Sequence, residues 1–174
     1  YLAYIFPQLG LLRKIFAFIF VTGTTLQIPG TMITKKRRVG FYPLLAIMVF
    51  SLANLLQART TIQFFLAWEF MTVSSWLLVM RGKKSQRPSL LYIIFSLGSA
   101  FLILAGFGMS YRLTGSLELA PLLSSSVGPW IPILLSLGFL IKTGAIGANV
   151  WLPGSYAESE DDFTAIISSV VSKA

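Results

Sequence analysis

The chain reads as an all-α, polytopic membrane helix bundle of about five complete transmembrane helices and a truncated sixth. Two observations carry this reading. The first is composition: of 174 residues, 55% are hydrophobic and only 11% charged, whereas soluble domains run about 25% charged. Mean hydropathy is accordingly high, at +0.77. The second is arrangement. Charges cluster between charge-poor windows of about 20 residues, the length at which a helix rising 1.5 Å per residue crosses the hydrocarbon core. Outer-membrane strands would alternate polar and apolar residues, and the windows show no such alternation. Residues 1–174 are therefore expected to form one transmembrane domain.

The first window, 15–34, is flanked by Arg13 and Lys14, and Pro29-Gly30 is expected to end its helix. The second, 39–58, holds Pro43 where a first helical turn tolerates proline. The third, 60–80, is interrupted only by Glu69, and the fourth is 88–111. The fifth, 130–152, contains Lys142, and Pro153-Gly154 is expected to close it at the membrane surface. A sixth opens near Phe163 and runs to Ala174. With Tyr1 at one end and an apolar run at the other, the chain is expected to be a fragment lacking both ends.

Loop charge sets orientation. Lys35, Lys36, Arg37 and Arg38 lie in the first connection, and Arg81, Lys83, Lys84 and Arg87 in the third. Excess Lys and Arg marks both as cytoplasmic. Arg13 and Lys14 then fall on the other side, against the rule. The fifth connection carries Glu158, Glu160, Asp161 and Asp162, which count little in that rule. Topology thus explains the net charge of +8, and no nucleic-acid partner is expected. The chain has neither Cys nor His. Thiolate metal sites, iron–sulfur clusters and disulfides are excluded, and proton chemistry must run on Glu, Lys, Tyr and water. No cofactor is expected in this subunit.

Glu69 and Lys142 are the informative residues. A bare charge near a bilayer centre costs roughly 2.5–3.5 kcal/mol, and such residues are commonly paired and commonly lie on an ion or proton path. Two of opposite sign are expected to be each other's partners. Glu69 lies roughly 14 Å from the outer end of its helix, Lys142 roughly 18 Å from Trp130, and Lys173 roughly 17 Å from the opposite face, at 1.5 Å per residue. The midplane of a core about 30 Å thick lies near 15 Å, so all three share one depth. A lateral row of ionisable groups is what a proton relay requires.

The surroundings suit such a row. Ser51, Asn54 and Gln57 recur along the second span, Thr72 and Trp76 follow Glu69 on its own side, and Tyr92, Ser96 and Ser99 share one face of the fourth span. Asn54, Thr72, Ser96 and Thr143 are the candidate supporting polar groups. The alternative is that these residues only pack helices, as small and hydroxylated side chains do in membranes. Gly138, Gly144 and Gly147 surround Lys142. Either the backbone unwinds there, with Gly144 and Gly147 marking the break, or a neighbouring helix packs closely.

The stretch Phe65-Leu-Ala-Trp-Glu-Phe-Met-Thr-Val-Ser-Ser-Trp-Leu-Leu-Val79 resembles the fifth helix of the antiporter-like proton-pumping subunits shared by respiratory complex I, multisubunit sodium/proton antiporters and group 4 hydrogenases. Leu140-Ile-Lys-Thr143 followed by Val150-Trp-Leu-Pro153 is similar to that family's seventh helix, and Val171-Ser-Lys-Ala174 to the start of its eighth. The resemblance runs from about the family's third helix into the eighth, and implies half of an inverted-repeat fold. It implies that Glu69 modulates the charge of Lys142, which exchanges a proton with Lys173. It further implies a non-redox subunit of an NADH:quinone oxidoreductase, a hydrogenase or a sodium/proton antiporter. Such a subunit sits in a prokaryotic cell membrane, is driven by other membrane subunits, and moves protons or sodium. Ser159-Glu-Asp-Asp-Phe-Thr164 replaces the family's usual turn after Trp-Leu-Pro, and the family's helix histidines are absent. A hydrogenase or antiporter assembly is thus at least as plausible as complex I. The competing readings are an assembly subunit whose buried charges only fix helix packing, and a small-solute secondary transporter.

Overall fold

The structure, a computed structural model, describes residues 10–33, 40–82, 86–123, 128–145, 149–158 and 164. These form six α-helices: α1 (Leu11–Ile33), α2 (Phe41–Gln57), α3 (Thr61–Val79), α4 (Gln86–Thr114), α5 (Trp130–Lys142) and α6 (Trp151–Glu158). A 3₁₀ turn, Ala120–Leu123, lies between α4 and α5. Lys173, Gly147 and most of the window opening near Phe163 lie outside the described residues.

Local signals set most boundaries. Gly40, with φ of 94°, turns the chain into α2. Thr60 caps α3 reciprocally: its hydroxyl accepts from the Gln63 N–H at 3.2 Å, and the Gln63 side-chain oxygen accepts from the Thr60 N–H at 3.4 Å. α1 departs from expectation by continuing through Pro29-Gly30 to Ile33. Proline costs a helix one hydrogen bond and some crowding. Membrane helices tolerate internal proline where neighbouring helices, hydroxyl side chains, water or a local 3₁₀ or π adjustment re-satisfies the freed backbone group.

α3 and α4 are long and apolar enough to cross a membrane, while α2 and α5 are shorter apolar helices. α4 is central, packing against α3, α5 and α6, while α2 packs on α3 and α1 on α2. The core between α2, α3 and α4 includes Met48, Leu52, Trp68, Met71, Leu78 and Ile103. Large apolar side chains also cover the outside: Phe50 is 72% exposed and Phe101 69%. Apolar residues on both faces of a helix suit a bundle solvated by lipid.

At one end of the bundle the chain between α2 and α3 pairs with the chain after α4. Thr61 N–H donates to the Leu117 carbonyl at 2.7 Å, and Leu119 N–H to the Arg59 carbonyl at 2.9 Å. This antiparallel bridge centres on Thr60 and Glu118. It fixes the start of α3 relative to the end of α4, the two helices that flank the site.

Candidate functional site

Lys142 is the last residue of α5, and the helix stops there for a stereochemical reason. Gly144 takes φ of 69°, a left-handed geometry that only glycine adopts readily, and a Cβ at Gly144 would strike the Leu152 side chain. The Gly144 N–H bonds back to Ile141 and the Ala145 N–H to Leu140, closing the helix end. The indole N–H of Trp151, on α6, reaches the Ile141 carbonyl across the break at 3.3 Å. The fifth window is therefore two helices. Gly138 serves the other purpose foreseen for these glycines: a Cβ there would lie 2.7 Å from Ile103 Cγ1 and 3.0 Å from the Ser99 carbonyl. That close approach lets the Ser99 hydroxyl donate to the Gly138 carbonyl at 2.8 Å. One glycine packs and another breaks the helix.

The Lys142 side chain is 4% exposed. Its ammonium donates to Thr72 Oγ1 at 2.9 Å, Ser96 Oγ at 3.0 Å and Tyr92 Oη at 3.2 Å. These are the three donors an ammonium possesses, and every acceptor is a neutral hydroxyl from α3 or α4. The charge also lies 4.8 Å from the Tyr92 ring centroid and 5.9 Å from that of Trp68, within reach of cation–π attraction. Tyr92 is fully buried, its ring set edge-on to Trp151 at 5.0 Å, and its hydroxyl lies 2.6 Å from Ser75 Oγ.

Glu69 lies on α3, one turn before Thr72, and is half-buried. Its Oε1 is buried without a hydrogen-bond partner. Glu69 and Lys142, expected to be partners, form no ion pair among the described residues, because three hydroxyls saturate the ammonium. The Lys142 charge still acts on the carboxylate through space. Trp68 Nε1 and Trp76 Nε1, on the same helix, are likewise buried without partners.

The supporting residues divide. Thr72 and Ser96 hold Lys142. Asn54 does not: it is exposed, and its amide donates to the Phe50 carbonyl of its own helix at 2.8 Å. Thr143 is exposed and donates to the Leu140 carbonyl at 3.1 Å. Sequence reasoning put Tyr92 on the right face without assigning it to the ammonium, and it passed over Ser75. Helical spacing offered the clue, since Ser75 stands three residues after Thr72 and on the same side. Lys173 and Gly147 are outside the described residues.

A helix break ending on a buried ammonium, held by hydroxyls of two flanking helices, defines a polytopic membrane protein with an ionisable centre inside its bundle. Residues 58–174 match the model of the family described as NADH:quinone oxidoreductase/Mrp antiporter, TM. The chain belongs to this family. It is 28% identical over 148 residues to a Na(+)/H(+) antiporter subunit of Bacillus subtilis (strain 168), covering 80% of this chain and 30% of that protein. It is also 28% identical over 141 residues to hydrogenase-4 component B of Escherichia coli (strain K12), covering 78% of this chain and 21% of that protein. The fold is similar to a chain in the Mrp complex of Dietzia sp. DQ12-45-1b, with a TM-score of 0.83 at 19% identity, over 93% of this chain and 19% of that one. The chain thus spans under a third of the length of these curated relatives.

Proposed function

We propose that this chain is part of a proton-translocating membrane subunit in which Glu69, Lys142 and Lys173 form a lateral relay at the bilayer midplane. Other membrane subunits of a multisubunit complex in a prokaryotic cell membrane drive it, and the coupled ion is the proton or sodium. The observation that carries the proposal is the ligation of Lys142. A structural lysine buried this deeply would be expected to pair with a carboxylate, because an unpaired charge in a membrane is costly. Three neutral hydroxyls instead leave the group free to lose its proton without stranding a counter-charge, since each hydroxyl can turn from acceptor to donor. Glu69 is near enough to act on that charge electrostatically, and its buried oxygen has no other partner to hold it. Moving Glu69 toward or away from Lys142 would add or withdraw stabilisation of the ammonium and so time its proton release toward Lys173.

The test is Glu69→Gln in the assembled complex, with proton translocation measured in sealed vesicles. The expected outcome is a loss of at least about tenfold with assembly retained, the low end of what a positioned acid–base group contributes. Undiminished translocation would remove the relay. The same measurement addresses the assembly-subunit reading, in which Gln, of the same shape, should leave transport by the complex intact.

A further inference from the structure

We infer that Ser75, which makes no hydrogen bond to Lys142, is a positioning residue that sets the pH range over which Lys142 exchanges its proton, acting through Tyr92. The inference deepens the relay reading and rests on it. Its basis is the direction of the hydrogen bonds. With Lys142 charged, Tyr92 Oη must accept from the ammonium at 3.2 Å, so its own O–H points to Ser75 Oγ, 2.6 Å away. Ser75 then donates to the Thr72 carbonyl at 2.9 Å. All three bonds run outward from the charge and stop on a backbone oxygen. The chain therefore solvates the ammonium and offers the proton no exit.

When Lys142 is neutral, its nitrogen presents a lone pair that needs a donor. Tyr92 can turn its O–H to the nitrogen, and Ser75 can turn its O–H from the Thr72 carbonyl to Tyr92 Oη. Both oxygens keep their protons throughout; only the O–H bonds rotate. The proton that leaves Lys142 passes to the relay, not into this pair. The 2.6 Å separation suits either polarity, because either oxygen can be the donor. Ser75 and Tyr92 are both 0% exposed, so water does not substitute for the missing partner if one hydroxyl is lost.

Removing the Ser75 hydroxyl affects the two charge states unequally. Beside the ammonium, Tyr92 would hold a buried O–H with no acceptor, which is costly. Beside the neutral amine, Tyr92 still donates to the nitrogen and loses only an accepted bond. The loss falls on the charged form, so the alkaline limb of the translocation profile moves to lower pH. Among the described residues, the titratable groups facing Lys142 are Glu69 from α3 and Tyr92 from α4. The remainder of α5 carries no charge, and α6 approaches through Trp151. Every variant below leaves Glu69 in place, so a shift in a Ser75 variant reports on the hydroxyl pair.

The experiment measures proton translocation against pH in sealed vesicles holding the assembled complex, for Ser75→Ala, Ser75→Thr and Lys142→Gln. Ser75→Ala is expected to move the alkaline limb about one pH unit toward acid, the scale of one buried hydrogen bond, with the maximal rate retained. Ser75→Thr keeps the hydroxyl and adds volume, and is expected to restore the wild-type limb. A packing role predicts the reverse, with Thr perturbing and Ala silent, and that result overturns the inference. So does a wild-type limb in Ser75→Ala. Should Ser75→Ala fail to assemble, Tyr92→Phe removes the same pair from its other side. It is expected to shift the limb at least as far, and an unshifted limb there overturns the inference equally. Lys142→Gln separates the two levels. If it is inactive while Ser75→Ala has a wild-type profile, only the role of Ser75 falls. If it translocates like the wild type, the relay falls and the inference with it.

Discussion

The Lys142 pocket and the groove between α2 and α3 both collect polar side chains inside apolar helices, yet they resolve those groups in opposite ways. The groove, about 830 Å³, is lined by Ser51, Asn54, Gln57 and Gln63 among Ile47, Phe50, Leu66 and Phe70. Its polar groups close on their own neighbourhood. Ser51 donates to Ile47, Asn54 to Phe50 and Gln57 to Ala53, each four residues back along α2. The pocket does the opposite: Lys142 on α5 is held by hydroxyls from α3 and α4, 46 to 70 residues away. An amide or hydroxyl can satisfy itself on the preceding turn of its own helix. An ammonium has three donors and a desolvation cost that one local carbonyl cannot offset, so it draws in other helices. Of these two regions, it is the one holding a charge whose bonds tie separate helices together.

The sharpest way to break this contrast is to remove the charge. Lys142→Gln should lower proton translocation by about 100-fold or more, measured in vesicles with assembly checked on native gels. Retention of transport would mean that the two polar regions do not differ in function. A smaller effect is expected from the packing that brings α5 to α4. Gly138→Ala forces a Cβ against Ile103 and the Ser99 carbonyl, which should destabilise the bundle by about 1–3 kcal/mol in denaturant titration of the purified complex. Gly98, with open space beside it, serves as its control and should accept Ala without loss. The smallest effect belongs to the groove. Asn54→Leu should change stability in the same titration by less than about 0.5 kcal/mol, because the amide is exposed and satisfied within its own helix. A larger loss would show that the groove also depends on long-range contacts.

The same contrast between pocket and groove explains what could be read in advance. Glu69 and Lys142 stood out because a charge inside an apolar window is costly wherever the window folds. Tyr92, Ser96 and Ser99 could be placed on one face because helical periodicity fixes direction, and Thr72 followed from its turn after Glu69. Asn54 and Thr143 looked equivalent to these in spacing, but periodicity does not distinguish a side chain that bonds outward from one that bonds back to its own helix. The glycines around Lys142 were ambiguous for a similar reason. A missing side chain permits both close approach and a left-handed backbone, and only coordinates show that Gly138 uses the first and Gly144 the second. Opposite signs at equal depth singled out Glu69 and Lys142, but they constrain height alone and left unspecified that hydroxyls would take the ammonium's donors.

Ending α5 at Lys142 has a consequence beyond shape. Aligned peptide dipoles leave about half a negative charge at a helix's carboxyl end, and a cation in the last turn gains about 0.3–1 kcal/mol from it. Were the helix continuous to residue 152, that partial charge would lie roughly 15 Å further on, at 1.5 Å per residue. The break at Gly144 therefore supplies Lys142 with a fixed, non-titrating source of negative potential. This field costs no carboxylate and remains in place whatever Glu69 does.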